Sequence, residues 1–412
     1  MAQINITLNQ DEILGLLSKD HNEAFRELLA ASLNSVLKVE SQEQLQADPY
    51  ERTEKRTDSR NGFRDRELKT RIGTIILHVP RHRNQPFKTM IFENYSRSEE
   101  ALIASMAEMV VNGVSTRKVS RVMETLCGTS YSKSAVSDLC KDLDKEVNQF
   151  KNRPLKENYP FLIVDATYLK IRENHRIISK AFMLALGINK QGCREVLGFG
   201  VYAKESAETW TEFLKGLKDR GLEGLLMITS DSHEGIIKAA GQVFPDVPWQ
   251  RCQFHFARNI SSKAPKKYQA GLRAELNEMF NAKSIEKARE KRDAILNDYH
   301  DVAESAMECL DEGFESSMTA MMLPSGLYRS CRTSNAIERI NRELKRRSKV
   351  IGIFPNEASV IRLMGCVLME LNDCNQSGRR IFSSDTYDKL LKSETPTRLK
   401  NIAEEQQRMM AA

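Results

Sequence analysis

FLIVDATYLKIR, residues 161–172, holds one acid, Asp165, inside an apolar run rich in β-branched residues. A carboxylate in such surroundings is expensive to desolvate unless an Arg, a Lys or a metal ion neutralises it, so its partner must be sought elsewhere in the chain. Downstream, RIISKAFMLALGIN (176–189) and REVLGFGVYA (194–203) read as two more strands, separated by Gly and charged residues. A helix is expected at SAETWTEFLKGLKDRG (206–221), with Trp210 in its core face, and then comes LLMITSDSHEG (225–235), an apolar run that stops at Asp231. Three strands, a helix and a strand in that order predict an α/β domain whose first three strands form an antiparallel meander. IIKAAGQVFP (236–245) predicts a further helix, and PWQRCQFHFARN (248–259) a short strand leading into another.

If the first and fourth strands are neighbours, as in a ribonuclease-H-like fold, Asp165 and Asp231 face one point. Two close carboxylates repel strongly unless a cation lies between them. Oxygen-only ligands favour Mg²⁺ or Mn²⁺ over zinc, and a phosphodiester can supply the remaining oxygens. A third acid, Glu338, opens the helix RTSNAIERINRELKRRSK (332–349), which Ser334 is placed to cap. On that helix Arg339, Arg342, Lys345, Arg346 and Arg347 are candidates to hold nucleic-acid phosphates. Two metal ions about 4 Å apart can clamp the attacking and leaving oxygens of an in-line displacement.

The 412 residues allow two or three domains, with 41% hydrophobic and 29% charged side chains. No run of 18 apolar residues and no charged leader followed by an apolar stretch is visible, so a cytoplasmic location is expected. The eight cysteines form no CxxC pair and fit reduced thiols better than a disulfide framework. The net charge of +6 is unevenly spread: residues 1–48 carry three basic and eight acidic side chains, 51–97 twelve and six, 331–349 seven and two. Local excesses of this kind point to a polyanion, such as double-stranded DNA, although a solvated surface is the plain alternative.

Ahead of the α/β region, HNEAFRELLAASLNSVLKVE (21–40) places Phe25, Leu28, Leu29, Leu33, Val36 and Leu37 on one helical stripe, suited to packing or oligomerisation. Next, Ile75, Leu77 and Val79 alternate in a basic hairpin crowded by Arg60, Arg64, Arg66, Arg71, Arg81 and Arg83. Residues 98–150 then predict three helices, two of them joined by CGTSYS (127–132) as in a helix-turn-helix, which would offer Lys133, Ser134, Ser137 and Lys141 to a major groove. An inert helical bundle explains the same pattern, and both readings stay open.

The series RNGFRDRELKTRIGTIILHVPRHR (60–83), VNGVSTRKVSRVMETLCG (111–128) with SKSAVS (132–137), VDATYLKIR (164–172), SDSHEGI (230–236), WQRCQFHFARN (249–259) and TSNAIERINRELKRRSKVIGIFPN (333–356) resembles the mutator-type transposases of bacterial insertion sequences. The resemblance implies that Asp165, Asp231 and Glu338 are DDE ligands of two Mg²⁺ or Mn²⁺ ions on a ribonuclease-H-like core, cutting DNA at terminal inverted repeats and joining a 3′-hydroxyl to another strand. It also suggests a copy-out route through an excised circle. Cys252 and His255 match a Cys-x-x-His signature of the same family. They are either half of a zinc site, with Cys331 the one distant further ligand, or local structure beside the active site. His233, two residues after Asp231, is placed to approach substrate phosphate or to sit in a solvated loop.

The expected organisation is a multidomain α/β chain. An acidic helical segment (1–48), a basic hairpin region (49–97) and a helix-turn-helix-like module (98–150) precede the first part of the core (161–261). An all-helical insertion (262–330), completion of the core around the Glu338 helix (331–375) and a C-terminal tail (376–412) follow. A homodimer or larger homo-oligomer is expected, since two DNA ends must be brought together. A DNA-binding regulator without catalysis and a metal-dependent nuclease on the same fold are the alternative functions.

Overall fold

Strand alternation and helical stripes fold into two units, residues 1–142 and 143–412. The computed structural model describes residues 21–411 except 52, 71, 90–99, 113, 128–130, 133–134, 137–139, 141–142 and 379. Among the described residues no helix is long and apolar enough to cross a membrane.

In the first unit, helix α1 (His21–Leu45) lays its apolar stripe on an antiparallel hairpin of β1 (Arg60–Thr70) and β2 (Gly73–His82). Leu37, Ile75 and Leu77 are buried together, with Leu29, Leu33 and Val79 packed around them, while Phe25 is exposed. The Asn34 side chain bonds both the Ile76 carbonyl and the His78 N–H, pairing the free edge of β2 with α1. Helices α2 (Glu100–Val111) and α3 (Thr116–Cys127) share a small core of Leu102, Met106, Val119 and Met123 with Tyr131 and Val136. Of the expected third helix, Ala135, Val136 and residues 143–150 are helical, and Lys133, Ser134, Ser137 and Lys141 lie outside the described residues.

The second unit begins at α4 (Leu143–Asn152), a helix that sequence alone groups with residues 98–150. Its sheet comprises β3 (Phe161–Glu173), β4 (Arg176–Ile188), β5 (Arg194–Tyr202), β6 (Met227–Ser230) and β7 (Trp249–Arg251), in the order β5-β4-β3-β6-β7. The first three strands form the expected antiparallel meander, and β6 and β7 continue it in parallel. The turn between β3 and β4 consists of Asn174 and His175, with φ of 47° and 63°. Positive φ at both positions matches the right-handed twist of a long hairpin, and it gives the ENHR stretch a structural purpose.

Side-chain alternation along β3 divides the core. Leu162 and Val164 face α5 (Ala207–Asp219) and α6 (Glu234–Val243), where Trp210, Phe213, Ile236 and Ala239 are buried. Ile163 points the other way, toward Ile337, Ile340, Leu344, Val360 and Met364 of α12 (Asn335–Ile351) and α13 (Glu357–Ser377). Asp165 has the parity of Ile163 and so belongs to the α12 face.

Between β7 and α12 the chain is helical: α7 (Gln253–Lys263), α8 (Gln269–Phe280), α9 (Ile285–Tyr299), α10 (Glu304–Met318) and α11 (Ser325–Cys331). These helices bury a separate core around Phe256, Leu276, Leu310 and Phe314. Residues after 376 are more than a tail. Helices α14 (Ser384–Lys392) and α15 (Thr395–Ala411) bury Leu390, Leu399 and Ala403, and Gln406 bonds both the N–H and the carbonyl of Trp249.

Gly365 lets α13 approach α4 closely, since a Cβ there would overlap Val147 and crowd Phe199. Gly365→Ala is expected to cost about 1–3 kcal/mol through overpacking, read as a lower urea midpoint. An unchanged midpoint would mean that the α4–α13 contact yields freely.

Candidate active site

Strand register brings the two aspartates together. In the parallel β3–β6 pair Ile163 lies opposite Thr229, so Asp165 and Asp231 each follow two residues beyond one matched pair. The Thr229 hydroxyl donates to the Cys331 carbonyl just ahead of α12, which orients this level of the sheet toward that helix. Asp231 itself sits in the turn between β6 and α6, its carboxylate accepting from the His233 N–H at 3.4 Å.

Asp165 is half-buried, and neutral donors hold both its oxygens. The Ala166 N–H donates to Oδ1 at 2.9 Å, and the Asn341 side-chain amide donates to Oδ2 at 2.7 Å. Burial, then the charge of Asp231, and then those of Glu205 and Glu338 raise the Asp165 pKa to about 7. Glu205, between β5 and α5, is a fourth carboxylate within this field. Burial chiefly raises its pKa too, and it accepts a hydrogen bond from Trp210 Nε1 at 3.3 Å. Among the described residues neither Asp165 nor Asp231 forms an ion pair with a Lys or Arg. Arg251 feels the charge of Asp231, yet its guanidinium lies 4.3 Å over the Phe256 ring.

Glu338 stands in the first turn of α12, whose buried Ile337, Ile340 and Leu344 press the helix onto the sheet. His255 Nε2 lies 3.0 Å from Glu338 Oε1, each side chain about a quarter exposed. Cys252 is buried and accepts from the Ser334 hydroxyl at 3.1 Å and the Ser334 N–H at 3.3 Å. The Ser334 hydroxyl faces the sulfur and, at 3.4 Å, Glu338 Oε1, and α12 starts without the side-chain cap expected of it. The Cys-x-x-His stretch thus grips the start of α12 at two points. Burial pushes the Cys252 thiol pKa up.

Among the described residues no three His, Cys, Asp or Glu side chains close into a metal cage as they stand; Glu338 is turned to His255. The donor set nevertheless suits a hard cation: three or four carboxylates share one field without a cationic side chain paired to the aspartates. Asn341 Oδ1, buried and unpartnered, adds an unused oxygen acceptor next to Asp165.

Of the basic side chains on α12, Arg339, Arg342, Lys345 and Arg346 are exposed, with Arg346 also paired to Glu343 at 2.6 Å. Arg347 is only 5% exposed and bonds Glu343 and Glu370, so its charge is spent inside the fold. Its pull, after that of Arg346, holds Glu343 down to about 2. In the first unit Arg64, Arg81 and Arg83 are exposed and Arg66 is half-buried, whereas Arg60 donates to the carbonyls of Ala47 and Asp48. Arg71 lies outside the described residues. His233 caps α6, accepting from the Gly235 N–H at 3.2 Å.

Comparison with known proteins adds a family to this geometry. Residues 2–377 match the model of the Mutator family of transposases. The chain is 43% identical, over 94% of its length and 99% of the relative's, to the transposase for insertion sequence element IS256 in transposon Tn4001 of Staphylococcus aureus. The transposase for ISRM5 of Rhizobium meliloti is 36% identical over 88% of this chain and 91% of its own. That for IS1081 of Mycobacterium tuberculosis is 34% identical over 92% of each.

The elevated Asp165 pKa makes stability depend on pH when divalent ions are withheld. A carboxyl that titrates at 3.8 in the open chain and near 7 in the fold leaves stability whole below about pH 4 and removes it as pH rises through 7. The loss amounts to about 4 kcal/mol at most. Melting temperatures between pH 5 and 8 in chelator should fall for the wild type and much less for Asp165→Asn. Parallel curves would remove Asp165 from the buried acidic cluster.

Proposed function

The chain belongs to the Mutator family of transposases, and we infer that it moves DNA with Asp165, Asp231 and Glu338 as a DDE triad on a ribonuclease-H-like core. The observation that carries this reading is the β3–β6 register, which sets the two aspartates two residues beyond one matched pair, with Asp165 on the face covered by the helix bearing Glu338. The sheet order, with an antiparallel meander flanked by two parallel strands, supports the fold assignment.

The triad residues would hold two Mg²⁺ or Mn²⁺ ions, with Glu338 released from His255. When bound, such ions neutralise the carboxylates and stabilise the attacking and leaving oxygens at phosphorus. The side chains contribute position and field. Asn341 and the Ala166 N–H fix the Asp165 carboxylate, and Cys252 holds the start of α12 through Ser334. Exposed Arg339, Arg342 and Lys345 recur at helical spacing beside Glu338 and offer cations to the DNA phosphates. A water, and later a freed 3′-hydroxyl, would attack phosphorus in line, with no covalent link to the protein.

The first unit is proposed to hold the terminal inverted repeats, through Arg64, Arg66, Arg81 and Arg83 on the hairpin and through the helices after it. Arg71, Lys133, Ser134 and Ser137 belong to the same proposal on sequence grounds. Joining two ends calls for a dimer or larger assembly. The proposed place of action is the bacterial cytosol.

Asp165→Asn is expected to lower Mg²⁺- or Mn²⁺-dependent nicking of end-containing DNA about 10³-fold, the equivalent of several kcal/mol of lost transition-state stabilisation. Equal nicking by both proteins would reject the metal role. Arg64→Gln should lower the log-log salt slope of end binding by about one unit. Arg60→Gln should lower stability instead, because its guanidinium already serves Ala47 and Asp48. A slope unchanged by Arg64→Gln would assign Arg64 to surface charge.

A further inference from the structure

Asn341 is the one residue of α12 recorded in a hydrogen bond to a triad acid on another element, and nothing in the sequence marks it. It lies three residues after Glu338, hence on the same side of the helix, and is 7% exposed. Its Nδ2 donates to Asp165 Oδ2 at 2.7 Å, while its Oδ1 is buried with no partner. An amide with one end unsatisfied is a poor choice for packing. A Leu or Met would fill similar space between Ile337, Ile340 and Leu344 without burying an idle carbonyl. What the amide supplies is a donor aimed at a carboxylate. Because Oδ1 has no partner of its own, the carboxylate alone decides which way the amide faces.

We propose that Asn341 is a positioning residue for divalent-ion binding, fixing the Asp165 carboxylate to the helix that also delivers Glu338. One rigid element then sets two of the three acids: Glu338 directly and Asp165 through the amide. Removing the donor frees Asp165 to turn within its site, and the ion must then order it on binding. Partners that orient metal ligands in this way change ion affinity about 10–100-fold when they are lost. The inference rests on the triad reading above.

The test uses Asn341→Ala and Asn341→Leu, the latter filling the space without a donor, in the full-length protein. Mn²⁺ is titrated against melting temperature, which reads ion binding without catalysis, and in parallel against the rate of nicking end DNA. Both variants should need about 10–100-fold more Mn²⁺ for a half-maximal effect in either titration, with the nicking rate at saturating Mn²⁺ largely restored. A packing role predicts lower stability for Asn341→Ala, recovery in Asn341→Leu, and Mn²⁺ midpoints equal to the wild type, and that result overturns the proposal. Asp165→Asn is the control. If Mn²⁺ still raises its melting temperature as in the wild type, the triad reading fails and this proposal with it. If that rise is lost in Asp165→Asn while both Asn341 variants titrate normally, the role of Asn341 alone is rejected.

Discussion

Mutual repulsion between Asp165 and Asp231 is the constraint around which the second unit is arranged. Each aspartate follows two residues beyond a matched pair of adjacent parallel strands, and those strands are buried on both faces and held by their ladder. The two carboxylates therefore lie within one electrostatic field. Burial and like charge together lift the Asp165 pKa to about 7, as expected of acids that await a counter-ion instead of possessing one.

Helix α12 answers that constraint from the other side. Its apolar stripe fixes it to the sheet, its first turn carries Glu338, and its exposed face carries Arg339, Arg342 and Lys345. Side chains other than Lys or Arg meet the acids meanwhile, with Asn341 on Asp165 and the imidazole of His255 on Glu338. A Lys or Arg in either place would have quenched the charge that a divalent ion is proposed to use. The basic residues are kept on the helix surface, where phosphates can reach them.

Much of this was legible in the chain itself. An acid within a β-branched run, another at the end of a second run, and a meander between them left the adjacency of the two strands as a condition, which the sheet order meets, and alternation along β3 gives the face of Asp165. Spacing singled out Cys252 and His255 but could not reveal that their partners, Ser334 and Glu338, lie across the helical insertion. Glu205 and Asn341 were missed because an acid after a strand and an amide in a helix acquire meaning only from what packs against them. Counting charges had a similar blind spot. It grouped Arg60 and Arg347 with their neighbours, whereas one is occupied by backbone carbonyls and the other by Glu343 and Glu370.

The grip of Cys252 on Ser334 also says something about the helices in between. Those two residues are 82 apart in sequence yet touch, and the Gln253 N–H donates to the Arg332 carbonyl beside them. The long excursion leaves and re-enters the core at this stitched point and carries an apolar interior of its own. The end of the excursion is also tied to the sheet, with Gln250 bonding Ser317 and Ala320 and with Ala320, Leu323 and Leu327 buried against Phe161, Ile188 and Met227, so the glutamate just past its exit is held from both sides.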